Sequence, residues 1–254
     1  RLTGELASDV SDASGTNLLD VERRQWSREI LDKLQIEKEW MPRLYESTEI
    51  TGVISRQAAE ETGLLPGIPV VGGAGDNMAA AVGCGVIREG EAFNTIGTSG
   101  VIFAPMKNMR TDPKGRVHTF CHAVPGMWTM MSCTLAAGLS VQWFRNQFCQ
   151  TEDFYSWMNR QMEHVPPGAN GVVFLPYLMG ERSPLLNERV RGGFLGLSAG
   201  SSRADFMRAV IEGVSYSQRQ CLDILREQNI VPKGMLLCGG GKQNDTWRQI
   251  LAAL

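Results

Sequence analysis

Four glycine clusters, each set at the end of an apolar run, constrain this chain more than any other feature. They are Gly72, Gly73 and Gly75; Gly97 and Gly100; Gly192, Gly193, Gly196 and Gly200; and Gly239, Gly240 and Gly241. Glycine makes up 28 of the 254 residues, about 11% against a typical usage of roughly 7%. At a strand end, a glycine lets the backbone turn sharply or lets something approach closer than a Cβ would allow. Where such a turn feeds a helix, free N–H groups and a partial positive charge face outward, an arrangement that suits phosphate oxygens. Gly239-Gly240-Gly241-Lys242-Gln243-Asn244 has that form, whereas Gly97-Thr98-Ser99-Gly100 joins two short strands. Each alone is what any tight turn uses. Neither is a Walker A loop, because Gln243, not Ser or Thr, follows Lys242.

Between the glycines, strand-like and helix-like runs alternate, which predicts an α/β fold. Residues 20–45 read as charged and helical, with Trp26, Ile30 and Leu34 on one face. Gly67–Gly73 reads as a strand and turn. A helix is predicted from Asp76 to Val82, with Asp76 as a plausible cap. Strands are predicted at 92–96, 101–103, 127–132, 172–176 and 235–238, the last two buried, and a helix at 135–148. Ser202-Arg203-Ala204-Asp205 fits a capping box, followed by an apolar stripe from Met207 to Leu225. A change of composition near 85–90 divides the chain into 1–86 and 87–254.

Composition narrows the function. Twenty-five basic and 27 acidic residues give a formal net charge of −2, which offers no electrostatic footprint for nucleic acid and no polybasic membrane patch. The longest run without an ionisable Asp, Glu, Lys or Arg, 117–144, holds two histidines, Pro125 and Gly126, and makes a poor membrane span. The three histidines lack metal-site spacing, so no metal ligands are expected from the protein. Six dispersed cysteines read as buried thiols of a reducing, cytoplasmic compartment. The absence of an initiator Met at Arg1 and the helical character at Leu254 give the expectation of a piece of a longer protein.

Asp76 stands where a strand gives way to a helix, between Gly75 and Asn77. It is either a helix cap or a carboxylate placed to take a proton from a hydroxyl. Gly196-Leu197-Ser198-Ala199-Gly200 matches a nucleophile elbow, but all three histidines precede Ser198, against the acid-then-histidine order that chemistry needs. The group Met127, Met130 and Met131 reads as core filling.

Taken together the motifs resemble the FGGY family of carbohydrate kinases. The resemblance rests on Ser11-Asp12-Ala13-Ser14-Gly15-Thr16 with Leu19-Asp20-Val21, on Gly75-Asp76-Asn77, and on Ile96-Gly97-Thr98-Ser99-Gly100. It continues through Phe174–Pro184 and Gly192–Leu197 to Asp205, Glu212 and the triple glycine, in family order over essentially the whole chain. It implies an actin-like, ribonuclease H-like two-lobed α/β sugar kinase fold, incomplete here, with 1–86 the end of a sugar-binding lobe and 87–254 most of a nucleotide-binding lobe.

The same resemblance implies ATP-dependent phosphorylation of a pentulose, D-xylulose first, with Mg2+. Asp76 would be the general base and Asn77 a sugar contact. Gly97, Thr98, Ser99 and Gly100 would face the phosphates, and Gly240, Gly241 and Asn244 the adenosine end, with Trp143 lining the same pocket. Phosphoryl transfer asks mainly for positioning and charge neutralisation, so one carboxylate, amide cradles and Mg2+ suffice. Glu181, Arg182 and Ser183 read equally as a structural turn or as a group near the reaction. Ribulose, gluconate and glycerol remain alternative substrates, a non-catalytic nucleotide- or sugar-binding module remains the alternative class, and a homodimer is left open. The family's first phosphate loop and its early sugar-contacting segment have no counterpart, so this piece alone is expected to be inactive and to expose apolar surface.

Overall fold

Five helices of this protein begin at a short polar side chain, Asp9, Ser27, Ser55, Ser202 or Asn244, that accepts from the first turn. A computed structural model describes residues 1–149 and 153–254. These fall into two compact units: 1–91 with 104–110 and 119–130, and 92–103 with 111–118 and 131–254.

In the first unit, β1 (Ala7–Asp9) runs straight into α1 (Val10–Ala13). The Asp9 carboxylate caps that turn by accepting from Ser11 N and Asp12 N. A small antiparallel pair, β2 (Leu19–Asp20) and β3 (Gln25–Trp26), leads to α2 (Arg28–Leu34). Ser27 caps α2 and Gln35 ends it in the left-handed region. β4 (Arg43–Tyr45) returns parallel to β1, and β5 (Ile50–Val53) precedes α3 (Arg56–Thr62), which Ser55 caps. β6 (Pro69–Val71) pairs antiparallel with β5 and leads to α4 (Asp76–Gly83). Val10, Ala13, Leu19 and Cys121 form a buried core flanked by Trp26, Leu44 and Trp128. Arg24 ties its edge together, with both Glu46 carboxylate oxygens and the Met127 carbonyl as acceptors.

The second unit opens with a hairpin, β7 (Phe93–Ile96) and β8 (Gly100–Met106), in the register Ile96↔Gly100. β9 (His118–Cys121) and β10 (Trp128–Thr134) follow, and the sheet order beyond β8 continues with β10 and then β9. The Ala104–Met106, Thr119–Cys121 and Trp128–Met130 parts of these strands belong to the first unit. Next come α5 (Gly138–Phe148), α6 (Phe154–His164), and the antiparallel pair β11 (Val173–Leu175) and β12 (Gly193–Leu195). The long α7 (Arg203–Glu227) carries the capping box, with Ser202 and Asp205 each accepting from the other's backbone N–H. β13 (Leu236–Gly239) lies parallel to β7, and α8 (Asp245–Ala253) closes the chain.

The core of the second unit forms around α7. Met207, Val210, Ile211 and Val214 pack with Phe144, Phe154, Met162 and Phe174. Arg208 and Glu212 form a buried pair at 2.7 Å. The guanidinium also donates to the Met162 and Val165 carbonyls, and Glu212 accepts from Gly168 N. Every charge is thus hydrogen-bonded, the condition under which burial is tolerable.

Several sequence expectations need correction. Residues 20–45 are helical only over α2 and a 3-10 turn at Lys38–Trp40; the buried residue of α2 is Leu31, while Leu34 is exposed and Trp26 sits in β3. The Arg23–Arg24 turn interrupts any helix there, since Arg24 has a positive φ. The strand near 235–238 is not buried: β13 is an edge strand in the described sheet and Leu236 is 49% exposed. The strand near 172–176 is buried at alternate positions, Val172, Phe174 and Pro176, while Val173 between them is exposed. Cys84 is exposed, and the helix expected from 135 begins at Gly138.

Candidate active site

Asp76 is the first residue of α4, but Gly75 is the cap, so the helix start has no side-chain cap. The Gly75 N–H is held at 3.0 Å by the Ser11 hydroxyl oxygen. That hydroxyl donates to Asp9 Oδ2 at 2.5 Å, and the Ser47 hydroxyl reaches the same oxygen at 3.0 Å. A buried carboxylate and two hydroxyls therefore fix the residue immediately before Asp76. Asp76 itself is exposed. Its Oδ1 accepts from Asn77 N at 2.6 Å and from Asn77 Nδ2 at 3.0 Å, while Oδ2 has no hydrogen bond among the described residues. An oriented, water-facing carboxylate with one uncommitted oxygen is chemically competent to receive a proton. Its negative charge in the first turn of α4 also suits the helix dipole.

In the second unit a cavity of about 510 Å³ opens beside the β7–β8 turn, a size within the roughly 300–1,000 Å³ of small-molecule sites. Ile96, Gly97 and Thr98 line it from the turn, and Gly138, Val141 and Gln142 from α5. Tyr155, Met158 and Asn159 line it from α6, and Gly240, Gly241, Gln243, Asn244 and Trp247 from the start of α8. The turn is locked by its own carbonyls: Gly138 N donates to Gly97 O at 2.7 Å, and Ala137 N and Leu139 N donate to Thr98 O at 3.0 and 3.1 Å. The amides at the start of α5 are thus bonded to the turn.

The triple glycine divides its work. Gly239 has a φ of +80°, and a Cβ there would stand 2.4 Å from Ile96 O. Gly240 faces open space. Asn244 caps α8, its Oδ1 accepting from Trp247 N at 2.6 Å, and its Nδ2 donates to Asn159 Oδ1.

Of the residues expected at the nucleotide, Gly97, Thr98, Gly240, Gly241 and Asn244 line this cavity. Ser99, Gly100 and Trp143 do not. A Cβ on Gly100 would meet Gln218 Nε2 at 2.2 Å, so that glycine serves packing against α7. Trp143 stacks on Phe174 and Phe194 in the core. Successive helical residues point about 100° apart, which is why Gln142 lines the cavity and Trp143 does not. Gln142 and the α6 residues escaped the sequence reading. Phe154, Met158 and Met162, spaced four apart and all buried, were the available signal for α6.

Glu181 has a structural part within its motif. It is buried, and its Oε1 accepts from Leu135 N at 2.9 Å and from Arg182 N at 2.8 Å. Burial pushes its carboxyl above the usual range, against those two amides and the nearby Arg182 charge. Ser183 donates to Arg116 O and accepts from Cys133 N. Glu181 and Ser183 thus clamp the approach to α5.

The donors present fit a nucleoside: apolar Ile96, Val141 and Met158, aromatic Tyr155, and amide side chains from three elements. Among the described residues no group of three His, Cys, Asp or Glu could hold a metal ion. No helix among the described residues is long and apolar enough to cross a membrane.

Comparison with known proteins bears on the fold and the family. The model of the FGGY family of carbohydrate kinases, N-terminal domain, matches residues 1–83, and that of the C-terminal domain matches residues 92–254. A xylulose kinase of Escherichia coli (strain K12) is 39% identical over 99% of this chain and 51% of its own length. A gluconokinase of Bacillus subtilis (strain 168) is 32% identical over 99% and 51%. The crystal structure of a xyloylose kinase from Brucella ovis, 37% identical, superposes with a TM-score of 0.93 over 99% of this chain and 51% of that one. The chain thus spans about half the length of the curated relatives it matches, and it has the mixed α/β, actin-like architecture of sugar kinases.

Proposed function

The chain belongs to the FGGY family of carbohydrate kinases, and from that membership we propose that the intact protein phosphorylates a pentulose, D-xylulose first, with ATP as donor. Asp76 is the general base. Its free Oδ2 takes the proton of the sugar's terminal hydroxyl as that oxygen bonds to the γ-phosphorus, and ADP leaves. Asn77 orients the base through Oδ1 and contributes to sugar binding. The second unit's cavity seats the nucleotide, with Gly97 and Thr98 toward the phosphates and Gly240, Gly241 and Asn244 toward the adenosine. Mg2+, when bound to the nucleotide, supplies neutralisation of phosphate charge.

The observation that carries this reading is the Asp9–Ser11–Gly75 network. It fixes the start of α4 so that a carboxylate stands exposed and half-committed, which a binding module has no need to build. The pentulose is favoured because several relatives at 34–40% identity are described as xylulose kinases. The gluconokinase relative makes gluconate the second substrate to try. The test is an ADP-release assay on the intact protein with D-xylulose, ribulose, gluconate and glycerol, alongside Asp76→Ala. D-Xylulose-dependent release that disappears in the variant supports base and substrate together. Release with another sugar replaces the substrate, and nucleotide binding without any release favours the binding-module reading.

A further inference from the structure

We propose that Asn159 reads the nucleoside, its side-chain NH2 donating to an acceptor atom of the bound adenosine. This rests on the cavity of the second unit being the nucleotide seat.

The argument is a chain of fixed orientations. Asn244 caps α8, and the Trp247 N–H needs an acceptor there, so the side-chain oxygen of Asn244 must face Trp247. Its NH2 must then face the other way, and the atom it meets is Asn159 Oδ1. Two amides in contact must pair donor with acceptor, so Asn159 is held with its oxygen toward Asn244 and its NH2 turned away. Asn244 is buried, whereas Asn159 is exposed and lines the cavity. The Asn159 NH2 makes no hydrogen bond among the described residues, which leaves an oriented donor with no partner among them. Tyr155 lies one turn earlier on the same face of α6, is 57% exposed, and lines the same cavity. A flat base lying against that ring would present its edge to the Asn159 amide.

Asn159→Asp separates this role from a structural one. Asp keeps an oxygen for the Asn244 NH2 but replaces the outward donor with an acceptor. Calorimetric binding of ADP to the intact protein is the readout, with uncharged adenosine as a second probe so that phosphate repulsion is not mistaken for a lost donor. Loss of one hydrogen bond to the ligand is expected to weaken both roughly tenfold. The thermal midpoint of Asn159→Asp should stay at the wild-type value. Asn159→Ala, which lacks both atoms, should lose binding and stability together. If Asn159→Asp binds both probes like wild type and only Asn159→Ala is weakened, Asn159 merely buttresses Asn244 and the assignment is overturned. If Asn159→Asp weakens ADP but not adenosine, charge rather than a lost donor is responsible, and the assignment again fails. A wild-type protein that binds neither probe overturns the nucleotide reading itself.

Discussion

The Gly138 amide bonds to the Gly97 carbonyl at 2.7 Å, and a methyl group on Gly138 would stand 2.4 Å from that same oxygen. The contact that locks the β7–β8 turn is therefore available only to glycine. Gly138→Ala is expected to force α5 and the turn apart, costing about 1–3 kcal/mol in denaturant melts and raising the ADP dissociation constant. Gly240→Ala is the counterpart. Its added Cβ meets open space and its φ is not positive, so stability should hold to within about 0.5 kcal/mol while nucleotide affinity falls.

Asp76 should separate chemistry from binding. Asp76→Asn keeps an oxygen for the Asn77 amides but removes the proton acceptor. Its kcat is expected to drop by about 10²–10⁴-fold, the usual worth of a positioned general base. KM for ATP and the melting midpoint should barely move. A variant retaining full kcat would remove Asp76 from the mechanism.

Glu181 is expected to matter through its hydrogen bonds and not its charge. Glu181→Gln keeps the acceptor for Leu135 N and Arg182 N and removes a carboxyl that burial holds toward its neutral form. It should be as stable as wild type near neutral pH or more so. Glu181→Ala strands the Leu135 amide and should cost about 1–3 kcal/mol. Chemical denaturation of both variants decides the point.

Asp112 gives the fold a pH signature. Its carboxylate is bonded to Arg116 N at 2.8 Å, and to Nε and Nη2 at 2.9 Å. That guanidinium holds its pKa down from 3.8 to about 2. Because the folded value is depressed, the stabilisation is present above pH 3.8 and is lost as pH falls towards 2. The stability gap between wild type and Asp112→Asn should be constant at neutral pH and shrink across that window. Denaturant melts at stepped pH would show it, and a gap independent of pH would rule out the ionised pair as its source.

Much of this was legible in the sequence because local chemistry decided it. The capping box at Ser202 and Asp205 forms as read, and Gly97, Thr98, Gly240, Gly241 and Asn244 do meet around one cavity. What escaped was set by distant contacts. Asp9 caps a four-residue helix, yet its importance is that Ser11 carries its constraint across to Gly75, and no local pattern marks that. The glycine reading was half right for a physical reason: a glycine admits a ligand or another strand equally well. Gly239 and Gly100 turned out to admit Ile96 and Gln218. Trp143, expected at this pocket from the resemblance, stacks on Phe174 and Phe194, while its polar neighbour Gln142 lines the cavity.

The buried Arg208–Glu212 pair has a mechanical consequence. Its guanidinium grips the Met162 and Val165 carbonyls at the far end of α6, while Asn159 is joined to Asn244 nearer the middle. A helix fastened at two points along its length cannot hinge as a flap. α6 is a fixed wall, so a nucleotide entering this cavity meets a surface already in place.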